Sequence, residues 1–155
     1  MEHDMPLQLI APLYQTFALE RADKKYKNDG DPTTVTVKQA RQHEHERRQL
    51  LFAKLERKWN SDDNPDEIRV VQEISQAEVW REEAWLTLVE SNILDPEGKL
   101  LFKSAKSKND HPRLSMDKQS FCQAWGMLFP DIAEEIVEKI HEVNVLWGGA
   151  LGEAG

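Results

Sequence analysis

Pro12-Leu13-Tyr14-Gln15-Thr16-Phe17-Ala18-Leu19-Glu20-Arg21-Ala22-Asp23-Lys24-Lys25-Tyr26-Lys27, followed by Asn28-Asp29-Gly30-Asp31-Pro32, is the stretch on which the fold class turns. Pro12 suits the first turn of a helix, where its missing N–H is no loss. Leu13, Tyr14, Phe17 and Ala18 then fall on one helical face. The spacing predicts a helix that fades near Lys27, and the Asn-Asp-Gly-Asp-Pro run breaks it. With this segment helical, the whole chain reads as mostly α.

Outward from there, Thr33 to Thr36 is β-branched and suits either a short strand or a helix lead-in. Val37 to Trp59 has no Pro or Gly and is expected to be helical, with Leu51, Phe52, Leu55 and Trp59 as an apolar stripe. Its first half is polar all round, as in a helix that projects or awaits a partner. Glu44 and Arg48 are spaced as a favourable ion pair on it. Residues 60–66 form a loop, and Ile68-Arg69-Val70-Val71 reads as a short strand. Ser75-Gln76-Ala77-Glu78 has the pattern of a capping box opening a helix to about Glu90, which would bury Trp80, Ala84, Trp85 and Leu88.

Asp95-Pro96-Glu97-Gly98 is a turn between Ile93-Leu94 and Leu100-Leu101-Phe102, compatible with a small hairpin. Residues 103–113 read as an exposed loop. Ser115 is the candidate cap of a helix that presents Phe121, Trp125, Leu128 and Phe129 on one face. Ile132, Ala133, Ile136, Val137, Ile140 and Val143 define the last helix, whose acids Asp131, Glu134 and Glu135 favour its N-terminus. The expected organisation is a helical N-terminal region over 1–60, a helical core domain over 68–147 with one or two short strands, and a flexible tail over 148–155.

At 155 residues the chain can bury one core without a metal or disulfide staple. Its 39% apolar and 31% charged residues place it at the polar end of the globular range. The net charge of −8 comes in blocks: −3 over 1–20, +5 over 21–58, −9 over 59–98, +4 over 99–118 and −5 over 119–155. No single basic patch dominates, which disfavours nucleic acid as a partner. No apolar run approaches 18 residues, so no membrane span is expected. The lone Cys122 forms no internal bridge and fits a reducing compartment.

No residue pattern demands chemistry. His43 and His45 are two apart and point to different sides of a helix, and position 47 is Arg where a zinc helix needs His. Cys122 lies among apolar helical neighbours with no base fixed by spacing. No metal, cofactor or catalytic residue is assigned, and the chain is read as a binding protein. Trp80, Trp85 and Trp125 fall on core faces. Trp59 and Trp147 lie at element ends, where an amphipathic ring suits an interface. Leu51, Phe52, Leu55, Trp59 and Trp147 are therefore the partner-binding candidates.

Three runs together resemble the tail assembly chaperones of long-tailed bacteriophages. They are Ile68-Arg69-Val70-Val71-Gln72-Glu73-Ile74-Ser75-Gln76-Ala77-Glu78, then Asn92-Ile93-Leu94-Asp95-Pro96-Glu97-Gly98-Lys99-Leu100-Leu101-Phe102, and Ile132 to Asn144. The resemblance covers roughly residues 68–144 in residue types that are individually common. It implies a protein that binds the very long helical tape measure protein, keeps it soluble and promotes tail-tube assembly. It also implies contact with the major tail protein, self-association, a place in the host cytoplasm and absence from the finished virion. The competing reading is a small phage inhibitor or adaptor that blocks a host enzyme with its acidic blocks.

Overall fold

The computed structural model describes residues 6–9, 12–60, 65–107 and 111–148, with side chains for all of these except 53–75. It corrects the expected fold class. The described residues form six helices and two antiparallel sheets, of three and two strands, so this is an α+β fold and not a mostly α one.

The correction begins at Tyr14. Tyr14–Ala18 is a strand, β1, and the helix α1 begins only at Glu20 and ends at Lys25. β2, Thr34–Lys38, pairs antiparallel with β1, with Phe17 opposite Val35 and Thr16 opposite Thr36. The apolar positions of 12–18 satisfy a helical stripe and a strand face about equally. Tyr, Thr and Phe favour the strand, and a neighbouring strand with Val35 and Val37 fully buried decides it. The Asn28–Pro32 breaker is the connection between them. Lys27 takes the left-handed conformation (φ 55°), and the Asn28 N–H closes α1 on the Asp23 carbonyl at 2.9 Å.

α2 spans Gln42–Asn60 and α3 spans Pro65–Thr87. Residues 68–71, expected as a strand, lie inside α3, and the helix runs through the expected cap at Ser75 without a break. Three β-branched residues and an arginine make a strand only if an edge is there to receive them. Here α2 packs against α3 as a helix, and Pro65 sits at the first helical position. The chain then passes directly into β3, Leu88–Ser91, which is the third strand of the sheet β1-β2-β3. Strands that precede α2 and a strand that follows α3 thus share one sheet.

After β3, the predicted turn forms. Asp95 Oδ1 accepts from the Glu97 and Lys99 N–H groups, both at 2.9 Å, and Gly98 takes the positive φ (83°) that closes it. The expected hairpin is reduced there to a single bridge between Leu94 and Leu100. The real hairpin lies in the stretch read as a loop: β4, Ser104–Lys106, pairs with β5, Pro112–Leu114. α4, Lys118–Gly126, is capped by Asp117 rather than Ser115, with the Ser120 N–H donating to its carboxylate at 2.7 Å. α5, Pro130–Val143, packs on β2 and α3, and a final turn, α6, covers Val145–Gly148. Ile136 and Ile140 are fully buried against Val35, Val37, Phe102 and Phe121 in one core.

Among the described residues, no helix is long and apolar enough to cross a membrane. The expected flexible tail lies outside them from residue 149 onward.

Candidate functional site

The described residues break the rule that apolar groups go in and polar groups out at several places, and at two of them side chains from several elements come together. The first is an interior polar junction. Arg48 on α2 is 2% exposed and Glu83 on α3 is 1% exposed. Arg48 Nε donates to Glu83 Oε2 at 2.6 Å, and His141 Nε2 on α5 shares a hydrogen bond with Glu83 Oε1 at 2.8 Å. The guanidinium also lies over the Phe52 and Trp147 rings, at 4.8 and 5.2 Å from their centroids. A buried carboxylate with both oxygens engaged by cationic or ring N–H partners avoids the large penalty of an unpaired charge.

A cleft of about 200 Å³ opens beside this junction, between α3, α5 and α6. A histidine held by a carboxylate is the arrangement that general-base work requires. Among the described residues, no Ser, Thr, Cys, Tyr or Lys lines this cleft to be activated. The geometry supports a tie between four helices, and it assigns no reaction.

The residues expected to meet a partner divide here. Leu51 and Phe52 are half-buried, and Phe52 lies under Arg48. Leu55 and Trp59 have side chains outside the described set. Trp147 is 2% exposed, and its indole N–H donates to His45 Nδ1 at 3.0 Å. In place of the expected Glu44–Arg48 pair, each residue has other partners. Glu44 bonds Lys38 Nζ at 2.8 Å and the Arg41 N–H at 2.9 Å, while Arg48 takes Glu83.

His43 is exposed and Cys122 is half-buried on α4. His111 stacks on Tyr14 at 5.0 Å. Among the described residues, no group of three or more His, Cys, Asp or Glu is placed to hold a metal ion.

Charges expected to serve their own helix also work at a distance. Glu135 of α5 is buried and accepts from the Arg21 and Ala22 N–H groups at 3.1 and 2.9 Å. It thereby caps α1, whose own N-cap residue Leu19 has no capping side chain. Asn144 likewise accepts from the Ala40 N–H at 2.8 Å and donates to the Lys38 carbonyl at 3.1 Å, tying the β2–α2 link to the end of α5.

The second anomaly is on the surface. Tyr26, Leu94, Leu100, Met127 and Phe129 are 43%, 59%, 43%, 55% and 57% exposed. Two contacts and two shared clefts link them. Tyr26 stacks on Phe129 with ring centroids 5.4 Å apart, and Met127 and Phe129 flank the corner between α4 and α5. Leu94 bridges to Leu100. Tyr26 and Leu94 line one cleft of about 490 Å³, and Leu100 and Met127 line a second of about 510 Å³.

The charged residues in the walls are mostly acids. Asp23 and Asp31 line the first cleft, Asp95, Glu97 and Asp117 line the second, and among the described residues Lys103 is the one Lys or Arg lining either. None of these five acids forms a salt bridge with a described residue. Two are held below the ordinary carboxylate range. Partial burial pushes Asp23 upward, but hydrogen bonds from Thr33 and Asn28 outweigh it. The Ser120 N–H bond lowers Asp117. Nearby, Asp131 is lowered chiefly by its bond with Lys25, and the Tyr26 hydroxyl donates to the same carboxylate at 3.0 Å.

Sequence reasoning missed this surface because Phe129 was counted on the face of Phe121 and Trp125. The signal was Pro130. A residue before proline is driven out of the helical region, and Phe129 indeed has φ −68° and ψ 145°. Its side chain therefore leaves the α4 stripe. No protein-family model, curated protein or solved structure matches this chain.

Proposed function

We propose that this chain is a tail assembly chaperone of the kind made by long-tailed bacteriophages. In this reading it binds the tape measure protein in the host cytoplasm, keeps it soluble, promotes polymerisation of the major tail protein around it, and is left out of the virion. Several copies act on one client chain, and self-association accompanies that role.

One observation carries the reading beyond the resemblance: five large apolar side chains exposed together on a chain with net charge −8. Contiguous exposed apolar surface on an otherwise polar protein marks a place where another macromolecule docks. A client with many similar amphipathic helical segments suits a broad apolar surface better than a deep pocket.

The test is co-expression with the tape measure protein encoded in the same genome, followed by measurement of the soluble fraction. The expected result is a tape measure protein that is soluble only in the presence of this chain. Equal insolubility with and without it would overturn the reading.

A further inference from the structure

We propose that the surface around Tyr26, Leu94, Leu100, Met127 and Phe129 is the docking site for a basic amphipathic helix of another protein, its apolar face seated in the two clefts and its Lys and Arg side chains against their acidic walls. This rests on the reading of the chain as a protein-binding factor and adds the partner's chemistry.

The charge pattern selects the partner's sign. Among the described residues the clefts present five carboxylates and one lysine, and none of these acids forms a salt bridge with a described residue; Lys25, 5.5 Å from the Tyr26 ring centroid, is already paired with Asp131 at 2.9 Å. An acidic segment brought here meets like charge on both sides, whereas a basic one gains on approach and on contact. The shape selects a helix. The surface is built from the end of α1, the α4–α5 corner and a turn already closed on Asp95 Oδ1, so it offers side chains rather than a free ladder of backbone groups. An extended segment would find no ladder to join. A helix satisfies its own backbone and presents apolar residues every three or four positions, flanked by charge. The bridge between Leu94 and Leu100 separates the two clefts and gives such a helix two footholds.

The experiment uses the full chain and two synthetic helical peptides of equal length, one of Leu and Lys at amphipathic spacing and one of Leu and Glu. Binding is followed by fluorescence anisotropy. The Leu/Lys peptide should bind at least tenfold more tightly than the Leu/Glu peptide. The variant Leu94→Ser/Met127→Ser/Phe129→Ser should weaken that binding at least tenfold, while Leu50→Ser, an exposed leucine on α2, should leave it unchanged.

Asp31→Asn with Glu97→Gln should slow association of the Leu/Lys peptide several-fold and reduce its salt dependence. All five positions are exposed, so circular dichroism and thermal unfolding should match the parent chain and keep the comparison valid. Equal binding of both peptides, no binding of the Leu/Lys peptide, or full binding by the triple variant would each overturn the proposal. The co-expression assay reports on the chaperone reading independently. Client rescue that survives the triple variant and is lost with Trp59→Ala would place the client on α2 and end this assignment.

Discussion

The junction around Arg48, Glu83 and His141 and the surface around Leu94, Met127 and Phe129 are opposite kinds of exception. One buries charge and the other exposes apolar bulk. The buried groups have all found partners within the chain: among the described residues, no buried side-chain nitrogen or oxygen lacks a hydrogen bond. Among the described residues, nothing covers the exposed apolar groups. A satisfied exception inside the molecule holds the fold together, and an unsatisfied one outside it is available to something else. The two regions should therefore respond oppositely to substitution. The interior should lose stability and the surface should lose only binding.

The largest effect is expected at the junction. Arg48→Met removes the cation and leaves Glu83 buried with only His141, which should cost about 3–5 kcal/mol of unfolding free energy. Adding Glu83→Gln should restore much of that loss, because a neutral amide needs no counter-charge. Urea unfolding of the parent, single and double variants measures both. A single-variant loss below about 1 kcal/mol would mean that water reaches the junction, and the contrast between the two regions would weaken.

A smaller effect is expected at Asp23, which bridges the two kinds of region by lining the first cleft while bonding Thr33. Its folded pKa is lowered from the ordinary value of 3.8. The ionised form is therefore the one the fold stabilises. That contribution is fully present above the unfolded value and disappears as pH falls through the folded one. Asp23→Asn should lose about 1 kcal/mol near neutrality, with solvent screening keeping the figure small. The gap between parent and variant should close below pH 3.8. A gap that stays constant across this range would show that the carboxylate's charge contributes nothing there.

The smallest effect is expected from Met127→Ser with Phe129→Ser. Both side chains are more than half exposed, and surface changes of this kind stay within about 0.5 kcal/mol. Position 129 is also the N-cap of α5, where a serine hydroxyl is better suited than phenylalanine. Unfolding should be unchanged or slightly harder. A loss above about 2 kcal/mol would assign these residues to the core and remove the surface from consideration.

The sequence by itself determined the elements whose bonds close locally. The α5 stripe, the Asp95–Gly98 turn and the break at Asn28–Pro32 were legible because a helix or a turn satisfies its backbone within a few residues. The presence of a helix between Val37 and Trp59 was legible for the same reason, and its start at Gln42 was not. Tertiary structure decided the rest. A strand is defined by its neighbour, so 14–18 became β1 because β2 lay beside it, and 68–71 became part of α3, a helix that packs on α2. The burial of Arg48, the capping of α1 by Glu135 and the joining of Tyr26 to Phe129 each link residues far apart in the chain. No local period encodes such pairs. They exist only once the core has brought them together, and it is these pairs that separate the junction holding the fold from the surface left open to a partner.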